Sequence, residues 1–203
     1  MNRFFKNMGL LFGLSLMVFL ACDKRPTDER WQAEIRYFFL QHQEDYTSYE
    51  PLDFQKIDLA FLESQQPIQK ALLVLQDTTK MRIQQLHLAN ETDEIELLAS
   101  FSEPFSIDLI DEYLKVRASA EGKLSKHGTK LNEAYAQALL DEEDAVEQLA
   151  YILGQFSLSI YSLDFENDPI IFWHRYLLDE EERSAIFELD RASAEVISFR
   201  EVS

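Results

Sequence analysis

Trp31, Ile35, Phe38, Phe39 and His42 recur at helical spacing, behind Thr27 as an N-cap and Asp28 and Glu29 where the helix dipole favours acids. The pattern predicts a helix from Asp28 to about Gln43. The stretch DYTSYEPLDF (Asp45 to Phe54) breaks it. Pro51 biases Glu50 away from helix, so this piece is extended or turn-like, with Tyr46, Tyr49 and Phe54 packed on the fold. A helical pattern resumes at Ile57 to Phe61, and Pro67 suits a first helical turn. Ile68, Leu72, Leu75, Ile83 and Leu86 then lie near one stripe. Lys80 to Phe101 also admits a hairpin, with NETD between two alternating runs. Helix is preferred, because good helix formers dominate and no Asn-Gly or Asp-Gly turn is present. Pro104 and Ser106 open a further helix through Ile107, Ile110, Leu114 and Ala118, and Gly122 to Gly128 reads as a loop or helix end.

Leu131, Tyr135 and Leu139 resume the pattern, and Asp141 reads as the cap of the clearest helix. In it Val146, Leu149, Leu153, Phe156, Ile160 and Leu163 form a heptad-type seam. Such a seam needs a partner helix, which Ile68 to Leu114 can supply. The period changes at Pro169. IIFWHRYLL (Ile170 to Leu178) is rich in β-branched and aromatic residues, DEEER is a charged turn, and Ala185 to Leu189 and Glu195 to Glu201 are two more strands. The expected fold class is α+β. It is mostly α, a coiled-coil-like helical hairpin or small bundle, with a small C-terminal antiparallel β-sheet packed by one face on the helices.

The first residues read differently. Arg3 and Lys6 precede an apolar run from Met8 to Leu20, then Ala21 and the single cysteine, Cys22. That order matches a secretory signal peptide, with the cysteine at the point where it would end. As a helix the run spans about 20 Å, short of the roughly 30 Å hydrocarbon core. The organisation expected is a signal peptide (1–21), a tether (22–27) and one globular domain (28–203). Within the domain, 28–56 is the N-terminal helix and extended segment, 57–168 the helical region and 169–203 a β-meander.

The arrangement around Cys22 resembles a bacterial lipoprotein signal, which implies that Cys22 becomes the acylated N-terminus. Phe19 and Leu20 stand where that pattern usually has Leu and a small residue. Together with DYTSYEPLDF, FWHRYLL (Phe172 to Leu178) and AIFELDRASAEVISF (Ala185 to Phe199), the chain resembles small lipoproteins of Bacteroidota. The resemblance covers the two ends and implies architecture and compartment but no chemistry. The Arg-x-x-Asn stretch with glycines that often follows the histidine strand in that family is missing, since Leu178 runs straight into Asp179. With Asp23, Lys24 and Arg25 after Cys22, the expected location is the cell envelope, lipid-anchored on the periplasmic face, with either membrane open.

Removing Arg3 and Lys6 with the signal takes the formal charge from −18 to −20. Nucleic acid and anionic head groups are repelled by such a surface, so no nucleic-acid partner is expected. At 46% hydrophobic and 12% aromatic the chain is a folding type, not a disordered one. With one cysteine it has no internal disulfide. His42, His87, His127 and His174 are too scattered to suggest a metal site. No cofactor or catalytic residue is expected. Asp164, Glu166 and Asp168 alternate as in a calcium loop but lack its glycine and distal glutamate, so a helix end is the better reading. DEED (Asp141 to Asp144) reads as N-terminal capping.

His174 and Tyr176 are the candidate surface or ligand contacts. They share one strand face, where they can bind or relay a proton, and a packed core histidine explains the pattern equally well. Three functions are compatible, in decreasing order: a lipid-tethered, non-enzymatic binding or structural module with an envelope protein as partner; an acidic inhibitor or immunity-type lipoprotein; and an envelope hydrolase.

Overall fold

The computed structural model describes residues 27–42, 48–127 and 132–202. Among these the chain is α+β, with helices preceding and flanking a four-stranded antiparallel sheet. Helix α1 (Thr27–His42) leads into strand β1 (Glu50–Ile57). A helical body follows: α2 (Leu59–Ser64), α3 (Gln66–Ala89), α4 (Asp93–Ser102), a 3-10 turn (Ile107–Leu109), α5 (Ile110–Lys126) and α6 (Glu133–Gln155). Strands β2 (Ile170–Leu178), β3 (Glu181–Leu189) and β4 (Val196–Val202) close the chain.

The sheet order is β1-β2-β3-β4, so the expected meander gains a fourth strand from the N-terminal segment. β1 pairs with β2, Phe54 opposite His174 and Ile57 opposite Ile171. Pro51 fits this strand because β1 is an edge and because the register shifts between Pro51 and Asp53, the two settings that tolerate proline in a sheet. The 57–168 region expected to be helical therefore begins with a strand residue, Ile57, and its last helix ends at Gln155.

The sheet buries both faces, which corrects the expectation of one. β2 is apolar in both parities, as a doubly covered strand must be. Ile170, Phe172, Tyr176 and Leu178 join Phe187 and Leu189 under Trp31, Ile35 and Phe39 of α1. Ile171 and Ile186, with Ile57, face the helical body and pack with Leu62, Leu75, Leu149 and Leu153.

Helix ends explain the remaining differences. α3 stops where Asn90 turns left-handed (φ 58°), and the Glu91 N–H returns to the Leu86 carbonyl at 3.0 Å. NETD is thus a helix–helix turn, and Lys80 to Phe101 is helical on both sides of it. α6 begins nine residues before Asp141, at Asn132, whose Oδ1 accepts the Tyr135 N–H at 2.7 Å. Asp141 and the DEED run lie inside the helix and cap nothing. α6 ends because Ser157 turns left-handed (φ 60°), with the Leu158 N–H bonded to the Leu153 carbonyl at 3.0 Å. The seam stops there, and Ile160 and Leu163 follow the helix instead of extending it.

The β2–β3 hairpin turns on Asp179 (φ 54°) and Glu180 (φ 66°), both in the left-handed region that favours glycine. A side chain there costs about 1 kcal/mol. Glu180→Gly is expected to raise stability by about 0.5–1 kcal/mol, read as a higher urea midpoint. A lower midpoint would show that Glu180 makes a compensating contact.

Candidate functional site

His174 lies on β2 and is fully buried. Its Nδ1 is 2.7 Å from the Asp53 carbonyl, and its Nε2 is 2.8 Å from the Tyr49 hydroxyl. A carbonyl only accepts, so Nδ1 carries the proton and Nε2 accepts from the Tyr49 O–H. The ring stacks on Phe54 (4.0 Å, 8°) and on Tyr176 (5.3 Å, 22°), with Phe39 edge-on at 5.9 Å. The Arg36 guanidinium sits 5.2 Å from the Phe54 ring centroid, completing a cation–aromatic–imidazole column. Burial depresses the His174 pKa; the Asp53 carbonyl opposes this and the Arg36 charge adds to it, and the value falls to about 4.

Tyr176 is also fully buried, and its hydroxyl donates to Glu201 at 3.3 Å. Burial, then the Glu201 charge, pushes its pKa up to about 12. The sequence pairing of His174 with Tyr176 is real, but neither side chain reaches the surface. The reason is α1: Phe39 packs over both rings, closing the face that an uncovered sheet would expose. Cys22 lies outside the described residues.

A second buried polar group sits in the helical body. Arg82 of α3 is fully buried, its Nη2 2.5 Å and Nη1 3.2 Å from the two carboxylate oxygens of Glu142 on α6. Its Nε donates to Glu121 of α5 at 2.7 Å. The Tyr113 hydroxyl donates to Glu142, the Tyr135 hydroxyl to Glu121, and Arg117 Nε stands 3.3 Å from Glu142. Burial works against the Arg82 charge, but the hydrogen bond and charge of Glu142 outweigh it and raise its pKa. Two cations, two carboxylates and two phenols thus satisfy one another and tie α3, α5 and α6 together.

This network was missed in the sequence, and the signal was there. Reading the α6 seam backwards from Leu149 by sevens gives Glu142 and then Tyr135. Arg82 likewise stands on the buried line of Leu75, Thr79 and Leu86. A charge on an apolar stripe marks a buried partner on the facing helix.

Asp164 spends its carboxylate on its own turn, accepting from the N–H groups of Glu166 (3.1 Å) and Asn167 (3.0 Å) and from Asn167 Nδ2 (2.6 Å). The Asn167 side-chain bond is the main cause holding its pKa below the usual carboxylate value. Among the described residues no three His, Cys, Asp or Glu side chains gather as a ligand set.

The open site lies on the bundle side of the sheet, beside the C-terminal end of α6. Strand register aligns Asp53, Arg175, Ser184 and Val202 in one row, and Gln55, Trp173, Ile186 and Arg200 in the next. Two hollows of about 590 and 710 Å³ share Glu201 and Val202 in their linings. The sheet forms the floor, with Trp173 half-buried in it, and the α6 segment from Ala150 to Gln155 forms the wall. Arg200 donates to the Gln155 carbonyl, locking wall to floor. Tyr151 stands 71% exposed at the rim. Apart from its own helix turn, nothing lies within 4 Å of where a Gly154 side chain would begin, so the wall is open there.

Compared with protein-family models, curated proteins and solved structures, the chain matches none.

Between pH 6.5 and about 4 the unfolded chain protonates His174 while the folded one does not. Unfolding takes up a proton there, so stability falls as pH drops through that window, by on the order of 3 kcal/mol in full. The wild-type advantage over His174→Gln, from urea unfolding, is expected to shrink between pH 7 and pH 4.5; an unchanged difference would contradict a neutral buried imidazole. In the helical body, Glu142→Ala is expected to cost about 3–5 kcal/mol by leaving both Nη groups of the buried Arg82 without their carboxylate, with Glu121 alone on Nε. The pair Arg82→Met with Glu142→Leu should recover most of that loss in a double-mutant cycle. Additive losses would mean that the two charges act independently.

Proposed function

We propose that this chain is a lipid-anchored protein of the bacterial cell envelope that works as a non-catalytic binding module. The anchor reading rests on the basic start, the apolar run and the cysteine at residue 22. Residues 23–26 alone separate that cysteine from α1, so the body stays close to the membrane surface. Two or more acyl chains, at about 0.8 kcal/mol per buried CH₂, make release negligible.

The observation that carries the binding reading is the groove between α6 and the sheet. Tyr151, Trp173, Arg175 and Arg200 line it, and Trp, Tyr and Arg supply most of the energy at binding hot spots. The fully buried polar side chains His174, Arg82 and Glu142 are used up by internal partners. Their roles are structural: they fix the covers of the sheet and the register of the helices, and the surface left for recognition is the groove.

Two measurements in cells test this. Metabolic labelling with an alkynyl fatty acid is expected to tag the wild-type chain and not Cys22→Ser. A diazirine amino acid at position 151 is expected to capture another envelope component, and the same probe at position 88, itself 76% exposed on α3, is not. Labelling that survives Cys22→Ser would contradict the anchor. Equal or absent capture at the two positions would contradict the groove.

A further inference from the structure

We infer that the α6–sheet groove is a binding site for a neutral saccharide chain. The inference rests on the binding-module reading and names its ligand class.

The charge pattern of the groove decides between ligand classes. β2, β3 and β4 contain three arginines; Arg175 and Arg200 stand in the bundle-side rows that line these hollows, and Arg183, opposite Tyr176, borders them from the α1 face. Such clustering in a chain of −18 suggests an anion site at first sight. The carboxylates remove that reading. Arg175 lies 3.4 Å from Glu182 and 3.7 Å from Asp53, and Arg183 lies 3.2 Å from Glu181. Arg200 is held by a backbone carbonyl. A phosphate or an acidic peptide would have to displace these partners and approach against the field of the whole chain. A basic peptide would meet the arginines directly. A ligand without charge meets neither obstacle.

What remains is a surface of fixed donors and acceptors in close alternation. Arginine donates, the carboxylates accept, and the Ser184 hydroxyl does both. Hydroxyl groups, each a donor and an acceptor, match such a surface without ionic partners. Sugar rings also carry apolar C–H faces, and Trp173 in the floor with Tyr151 at the rim supplies aromatic surface for them. The two hollows share Glu201 and Val202 in their linings, so a ligand that fills both is longer than one ring. Gly154 leaves the wall free where a bulky ligand would pass. The ion pairs hold the polar groups in place beforehand, which lowers the entropy cost of ordering them.

The test is calorimetric titration of the full protein, in detergent, with neutral tetrasaccharides: β-1,4-linked glucose, α-1,4-linked glucose and β-1,4-linked N-acetylglucosamine. At least one is expected to bind with a millimolar or tighter Kd. Trp173→Ala is expected to weaken that binding about tenfold or more. Gly154→Leu should abolish it while leaving the urea midpoint near wild type, because the new side chain enters open space. Trp173 also packs against the helical core, so Gly154→Leu keeps the test clear of folding defects. Failure of all three sugars to bind, or binding indifferent to Gly154→Leu, would overturn the inference. If the sugars fail while the probe at position 151 captures a protein, the binding-module reading stands and the ligand class is a protein. If position 151 captures nothing as well, both readings fall.

Discussion

The constraint on which the rest depends is that β2 must be covered on both faces. Ile170 and Phe172 point one way, Ile171 and Trp173 the other, and leaving either set wet would cost several kcal/mol. α1 covers one face and the helical body covers most of the other. That requirement brings the first described helix and the last strands together although they lie far apart in sequence. It also divides the chemistry of one short segment. His174 falls on the α1 side and is sealed among aromatic rings. Its neighbours Trp173 and Arg175 fall on the bundle side, where the helices end before the sheet does.

The sealed groups act through what they exclude. His174 satisfies one carbonyl and one hydroxyl of the β1 segment, and a polar residue with fewer partners would leave one of them unpaired in the core. Arg82 does the same among helices, where its fork reaches α5 and α6 at once. A buried ion pair is weak evidence for stability, because well-packed apolar residues often do as well. It does fix register: a slip of α6 by one turn would separate Glu142 from Arg82. The network therefore holds the α6 wall at a set position over the sheet, and the groove depends on that position.

Much of this was legible in the chain. The three C-terminal strands showed themselves by β-branched and aromatic content, and the helices by their spacing. β1 was legible only as an extended segment, because Pro51 and an irregular burial pattern hide an edge strand, and its pairing with β2 crosses the whole helical body. The cap of α6 was misplaced because DEED imitates a capping run, whereas Asn132 was the true start. Glu142 was read as part of that cap, which concealed the one charge the seam had buried. His174 was placed on the correct strand. Its burial depends on α1 lying over it, and a local pattern cannot report a cover supplied from so far away. The groove is a product of register across three strands and one helix end, and only the assembled fold displays it.

The most direct measurement is hydroxyl-radical footprinting of the protein in intact envelopes against the purified protein. The account expects Tyr151 and Trp173 to be protected in the envelope, with Leu88 and Leu97, exposed on the helical body, modified equally in both samples. Equal modification of Tyr151 and Trp173 in the two samples would mean that nothing occupies the groove where the protein works, and would contradict the account.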